Sequence, residues 1–242
     1  MIGRTWQRGG NSGRVRASQD VEAQNGMIKS LVVAAVLTLA PAVFAQTHIE
    51  PEGDCGAMTF HVLGADRLSD AWIFLPQQRT AVMPVAGSRS LDLSAEIPKD
   101  GVSMAAVDVA PVVSGNETRT EHAKAFVYCG AKAPAADWQR STGLGVEIYP
   151  QWNGSILHLT PGRAMEFIAV DGTAKELLRD VPLELYRDGE HVATVTPDRN
   201  GIAKFPYPGP GRYMVMTTYR RADPQHAEHW LVDTSTATFE LK

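Results

Sequence analysis

Apolar and polar positions alternate in twos from Val181 to Tyr219. Leu183 and Leu185, then Val192, Thr194 and Thr196, then Ile202, Lys204 and Pro206, then Tyr213, Val215 and Thr217 step with the period of a strand that buries one face. Asp188-Gly189, Asn200-Gly201 and the run Pro208 to Gly211 separate these groups. Asp, Asn and Gly tolerate positive φ, so these dipeptides suit tight turns. The stretch predicts an antiparallel meander of four short strands, the core of a small sandwich.

The same reading extends in both directions. Met58 to Leu63, Trp72 to Leu75, Thr80 to Met83, Ser90 to Glu96, Val102 to Val109 and Ala123 to Cys129 read as strands, with turns near Gly64, Gly87, Gly101 and Gly115. Val102, Met104, Ala106 and Asp108 share one side of their strand. Gly130 to Gly143 is rich in Ala and Pro and reads as a linker. Beyond it, Val146 to Pro150, Ser155 to Leu159 and Met165 to Val170 read as strands, with a turn at Pro161-Gly162. Ala174 to Arg179 is long enough for one helical turn. Arg220 to His229 reads as a polar loop, and Trp230 to Val232 and Thr236 to Leu241 as strand. No segment carries a sustained helical stripe. The expected organisation is all-β: a domain over 46–130, a linker over 131–144 and a second domain over 145–242.

The address comes from the start of the chain. Met27-Ile-Lys29, the apolar run Leu31 to Ala40, and Val43-Phe44-Ala45 have the charged start, short apolar core and small-residue cut of a secretory signal. The apolar run is short for a bilayer span, so the expected product is exported and not membrane-spanning after cleavage. Residues 1–26 read as an extension upstream of the true start, or a disordered one. Cleavage after Ala45 removes five basic residues (Arg4, Arg8, Arg14, Arg16, Lys29) and two acidic ones (Asp20, Glu22). It leaves 18 basic against 25 acidic residues, a net charge of −7. That balance lacks the basic footprint of a nucleic-acid binder. The two cysteines, Cys55 and Cys129, both lie in the exported part, and an even count in an oxidising compartment predicts one disulfide.

A series of segments then carries a resemblance. His122 to Gly130, Gly145 to Pro150, Leu159 to Gly162, Val181 to Tyr186, Thr196 to Phe205, Gly209 to Tyr213 and Ser235 to Leu241 follow one another in an order similar to the NikM-like periplasmic family associated with nickel and cobalt uptake. The part from Thr196 to Tyr213 also resembles transthyretin-like and carboxypeptidase-regulatory-like β modules. The resemblance implies immunoglobulin- or transthyretin-like sandwiches in both halves, and an accessory role beside a metal-uptake membrane complex. His48-Ile-Glu-Pro51 departs from the family in lacking the aromatic residues that follow its N-terminal His.

Candidate chemistry is sparse. A cut after Ala45 leaves Gln46-Thr47-His48, whose α-amine, two amides and third-position imidazole suit a square-planar Cu(II) or Ni(II) chelate. The competing reading is a frayed end ahead of the first strand. His226-Ala-Glu-His229 offers two imidazoles, and beside His48 or His191 these make a surface metal site. It lacks the Glu position and helix of a His-Glu-x-x-His metalloprotease, and the plainer reading is a solvated hairpin loop. His61, His122 and His158 read as structural. Asp198 to Gly201 reads as a turn, not a calcium loop. No Gly-x-Ser-x-Gly, Cys/His pair or phosphate-cradling loop occurs. The expectation is therefore a non-catalytic exported protein of transition-metal handling, with Ni(II), Co(II) or Cu(II) as its ion. The alternative is a structural or adhesion-type module that binds an envelope protein or a glycan without metal.

Overall fold

The computed structural model describes residues 46–86, 90–130, 135–151 and 163–242. In chain order the first half forms β1 (His48–Asp54), β2 (Ala57–Leu63), β3 (Leu68–Leu75), β4 (Gln78–Ala81), β5 (Val85–Ala86), β6 (Leu91–Ala95), β7 (Gly101–Val109), β8 (Val112–Ser114) and β9 (Glu117–Cys129). A single helical turn, α1 (Ala135–Trp138), precedes β10 (Val146–Pro150), β11 (Ala164–Asp171), β12 (Glu176–Leu177), β13 (Leu183–Arg187) and β14 (Glu190–Val195). The last strands are β15 (Ala203–Pro206), β16 (Gly211–Ala222) and β17 (Trp230–Leu241). The signal-like segment, the strand expected over Ser155 to Leu159, the Pro161-Gly162 turn and His158 lie outside the described residues.

The strands build three sheets. A four-stranded sheet runs β1-β2-β6-β5. A nine-stranded sheet runs β14-β13-β16-β17-β9-β7-β3-β4, with β8 also on β9. A third sheet runs β10-β11-β12, with β15 on β11. Among the described strands every pairing is antiparallel except β17 beside β9.

The nine-stranded sheet is the middle layer, and the residue pattern explains why. Val102, Met104, Ala106 and Phe126 face Val146, Ile148 and Phe167 of the third sheet in one apolar cluster. The alternate residues Ala105, Val107, Ala123, Ala125 and Val127 face Ile49, Phe60, Val62 and Leu93 of the first sheet in another. Strands buried on both faces lose the simple polar/apolar alternation of a one-sided sheet. Each large apolar side chain taken fully from water contributes about 1.5–3 kcal/mol, so both clusters favour the stack.

The all-β sandwich architecture agrees with the sequence, but its division does not. Two consecutive sandwiches were expected, and the halves instead share a sheet, because β17 pairs with β9 of the first half along Trp230 to Thr238. Ala42–Lys242 forms one compact unit. The expected linker is partly core: Trp138, Thr142 and Leu144 are buried, and the Trp138 ring lies 5.4 Å from that of Phe126. The expected four-strand meander is split. β13 joins β14 and β16, whereas β15 crosses to β11 of the third sheet, with Phe205 opposite Met165. Asp198 starts that crossing. Its carboxylate accepts from the amides of Asn200 (2.8 Å) and Ile202 (3.1 Å). The turn between β13 and β14 is as expected, since Asp188 and Gly189 both have positive φ, 50° and 84°.

β1 was not anticipated, because Pro51 and three acidic residues mask it. It is an edge strand, where proline is tolerated, and its open side is occupied. Thr236 Oγ1 donates to Thr47 O (2.7 Å) and Thr238 Oγ1 to Ile49 O (2.5 Å). The Thr47 amide donates to Glu121 Oε2 (2.9 Å). The Cys55–Cys129 disulfide fastens the turn after β1 to the end of β9, as the cysteine count predicts.

Candidate functional site

The β16–β17 turn gathers the two histidines of His226-Ala-Glu-His229. β16 runs further than the sequence suggests, so Arg220 and Arg221 are strand residues and the turn begins at Asp223. Asp223 organises it. Its amide donates to His229 O (2.9 Å), its Oδ1 accepts from the Gln225 amide (2.8 Å), and Glu228 takes a φ of 63° to close the loop. The tip is tied to the neighbouring β8–β9 turn, where Trp230 N donates to Asn116 O (2.9 Å) and Asn116 Nδ2 to Glu228 O (3.2 Å).

Both imidazoles are oriented. His226 Nδ1 bonds Asp223 Oδ2 at 2.8 Å, and His229 Nε2 bonds Thr118 Oγ1 at 2.9 Å. The ring centroids are 6.2 Å apart. The opposite nitrogens, Nε2 of His226 and Nδ1 of His229, carry no hydrogen bond among the described residues. The Asp223 carboxylate only accepts, so the proton sits on His226 Nδ1 and the Nε2 lone pair is free, the usual outer-shell support of a metal-bound imidazole. The Thr118 hydroxyl both donates and accepts and so serves either tautomer of His229. The rings border a wide open cavity of about 560 Å³ with Val113, Asn116 and Glu228. Among the described residues no group of three or more His, Cys, Asp or Glu is placed to hold a metal, so the turn offers two imidazoles and no larger donor set. His48 and His191 do not border this cavity.

In the Gln46-Thr47-His48 segment, the Thr47 amide and the His48 ring are engaged elsewhere. Thr47 is buried and gives both its amide and its hydroxyl to Glu121 Oε2. His48 Nδ1 turns back to Gln46 O at 3.0 Å. A four-nitrogen chelate needs that amide deprotonated and that ring nitrogen as ligand, so it requires these contacts to break.

Sequence reasoning missed a buried ionic row between the middle and third sheets. Lys124 Nζ lies 3.5 Å from Glu147 Oε2 and 4.1 Å above the Tyr149 ring. Glu147 accepts from Ser141 Oγ (2.7 Å), Gly143 N (3.1 Å), Thr142 N and Thr142 Oγ1 (both 2.9 Å). Burial pulls Lys124 down to about 8 against the attraction of Glu147. Burial raises Glu147, but Lys124 and the Thr142 and Ser141 donors outweigh it and hold it below the ordinary carboxylate value. Two residues earlier on β9, His122 Nδ1 meets Asp108 Oδ1 at 2.5 Å, and its Nε2 lies 3.5 Å from Asp233 Oδ1. Arg221 Nη1 continues the row to Asp233 (2.9 Å) and Asp171 (3.5 Å). Burial opposes the charge on His122, yet the two aspartates lift it to about 9. Ser235 sits opposite His122 in register, so Asp108, His122 and Ser235 follow the order of a nucleophilic triad. Ser235 is fully buried and the imidazole is clasped between Asp108 and Asp233, so the row offers no approach for substrate. The signal was in the chain, since His122, Lys124 and Phe126 share one face of a period-two run. His61 is likewise occupied, between Asp92 (2.9 Å) and Glu52 (2.8 Å).

No protein-family model and no curated protein matches the chain. Among solved structures the chain is similar to native alpha-2-macroglobulin from Escherichia coli spanning domains MG0-NIE-MG1, at 13% identity over 80% of this chain and 69% of that one, with a TM-score of 0.21. It is also similar to the human OSCAR ligand-binding domain, at 12% identity over 78% of this chain and 95% of that one, with a TM-score of 0.23.

Proposed function

We propose that this chain is an exported, non-catalytic accessory of transition-metal uptake that holds a divalent ion, nickel or cobalt, at His226 and His229 for transfer to a membrane complex. The observation that carries this reading is the pair of imidazoles on one turn, each with one nitrogen anchored and the other free. Two ligands with no third among the described residues make an exchangeable site, which suits a carrier more than a store. The disulfide and the signal-like segment before Ala45 support an oxidising compartment. Native purification followed by metal analysis, and Ni(II) or Co(II) titration of the chain beside His226→Ala/His229→Ala, tests it. The expected result is micromolar-class binding, about −8 kcal/mol, that the double variant loses. Equal binding by both proteins, or none by either, removes the reading.

The rival, a module that binds an envelope protein or glycan without metal, is favoured by Val112 and Val113. They stand 60% and 69% exposed on the short edge strand β8, and an exposed apolar edge invites a partner.

A further inference from the structure

We propose that the groove between β1 and β16 is a second metal site, in which His48 Nε2, Glu50 and Met214 hold a copper ion. It lies apart from the His226/His229 turn and does not depend on that pair. Alternation along β1 puts His48 and Glu50 on one face of the strand. A carbonyl oxygen only accepts, so the 3.0 Å bond between His48 Nδ1 and Gln46 O places the proton on Nδ1 and leaves the Nε2 lone pair free. That nitrogen lies 3.7 Å from Glu50 Oε1. Arg212 Nη1 approaches the other oxygen, Glu50 Oε2, at 3.7 Å, so Oε1 is the oxygen on the imidazole's side.

Both side chains border a cavity of about 160 Å³ that Met214 also lines. The register pins Met214 there. It pairs with Thr238, whose hydroxyl donates at 2.5 Å to Ile49 O, between His48 and Glu50. Directly opposed residues of an antiparallel pair share a face, so Met214 lies on the β1 side of the sheet with Thr238. An imidazole, a carboxylate and a thioether form a mixed set. Nitrogen and oxygen donors favour Cu(II) above the other divalent first-row ions, and the thioether favours Cu(I). This site uses the opposite ring nitrogen of His48 from a terminal chelate, and it needs no free α-amine.

The test uses the full chain, in which Gln46 follows Ala45 and has no free amine, carrying His226→Ala/His229→Ala. Cu(II) is titrated in air, and Cu(I) anaerobically against a colorimetric chelator. The expected result is one copper bound, with a Cu(II) paramagnetic resonance spectrum showing one nitrogen ligand. Glu50→Gln should weaken Cu(II) by about tenfold or more, and Met214→Leu should weaken Cu(I) about tenfold while moving Cu(II) by about twofold at most. Both substitutions are near-isosteric, and near-UV circular dichroism checks that they leave the fold intact. Absence of copper binding, a four-nitrogen spectrum, or affinities that neither substitution moves would overturn the site.

Discussion

Lys124 Nζ stands 3.5 Å from Glu147 Oε2 across the interface of the middle and third sheets, and both side chains are 0% exposed. The two ions are not equally supported. Glu147 has four other donors, whereas Glu147 is the only carboxylate paired with Lys124 among the described residues. Breaking such a pair from one side typically costs about 3–5 kcal/mol, while replacing both partners costs much less. Glu147→Gln should therefore destabilise by about that amount, and Lys124→Met/Glu147→Gln by clearly less. Urea unfolding of the three proteins checks the order. A double variant as unstable as the single one would show that Glu147 matters through the Ser141 to Gly143 donors instead.

The disulfide should matter on a similar scale. Cys55 and Cys129 are 74 residues apart, and closing a loop of that length stabilises by about 4 kcal/mol in the chain-entropy model. Cys55→Ser/Cys129→Ser, or the reduced chain, should unfold at markedly lower denaturant while keeping an all-β far-UV spectrum. An unchanged midpoint would mean that the contacts of β1 with β17 already supply the constraint.

His122 predicts a pH dependence with a definite sign. Its folded value, about 9, lies above its ordinary 6.5. Its contribution is therefore complete below 6.5 and lost as pH rises toward 9. Between about pH 6 and pH 8 the loss is about 2 kcal/mol. His61, raised chiefly by its bond to Asp92, has the same sign, but it is only half-buried and partly screened by solvent. Lys124, depressed to about 8, acts oppositely and only above that pH. Stability should fall from pH 6 to pH 8 in the parent and run nearly flat in His122→Gln. A parent that gains stability over that interval contradicts the assignment.

Asp223 separates turn formation from metal support. Asparagine can still accept the Gln225 amide, so Asp223→Asn keeps the turn. It removes the carboxylate that fixes His226 Nδ1. Loss of such an outer partner typically weakens metal binding about 10–100-fold. Nickel or cobalt titration should show that drop with an unchanged melting profile. Retained affinity would mean that the His226 ring needs no anchoring.

Local features of this fold are legible in the chain, and long-range ones are not. Asp188-Gly189 and Asn200-Gly201 turn where their backbone preferences allow, and most strands fall where residues alternate. β17 beside β9 has no local signature, since parallel partners 113 positions apart, Trp230 and Glu117, leave no mark on either segment. The sheet that β15 joins is not legible, because a two-residue period says which face is buried and not which sheet a strand joins. The Ala/Pro-rich run around Trp138 was read by composition, whereas one large aromatic ring decided its burial. Lys124 was legible as the odd member of an apolar face. Its partner was not, because Glu147 lies on a strand where every residue is buried.

The position of β17 also has a kinetic side. Until residues beyond Trp230 have been delivered, β9 and β16 each present a bare hydrogen-bonding edge, and neither can find the other. Such distant pairings nucleate slowly, and bare edges recruit strands from other molecules in the meantime. A chain made from its first residue onward passes through that state on every synthesis, so its yield should depend on a holding chaperone until the last strand slots into place.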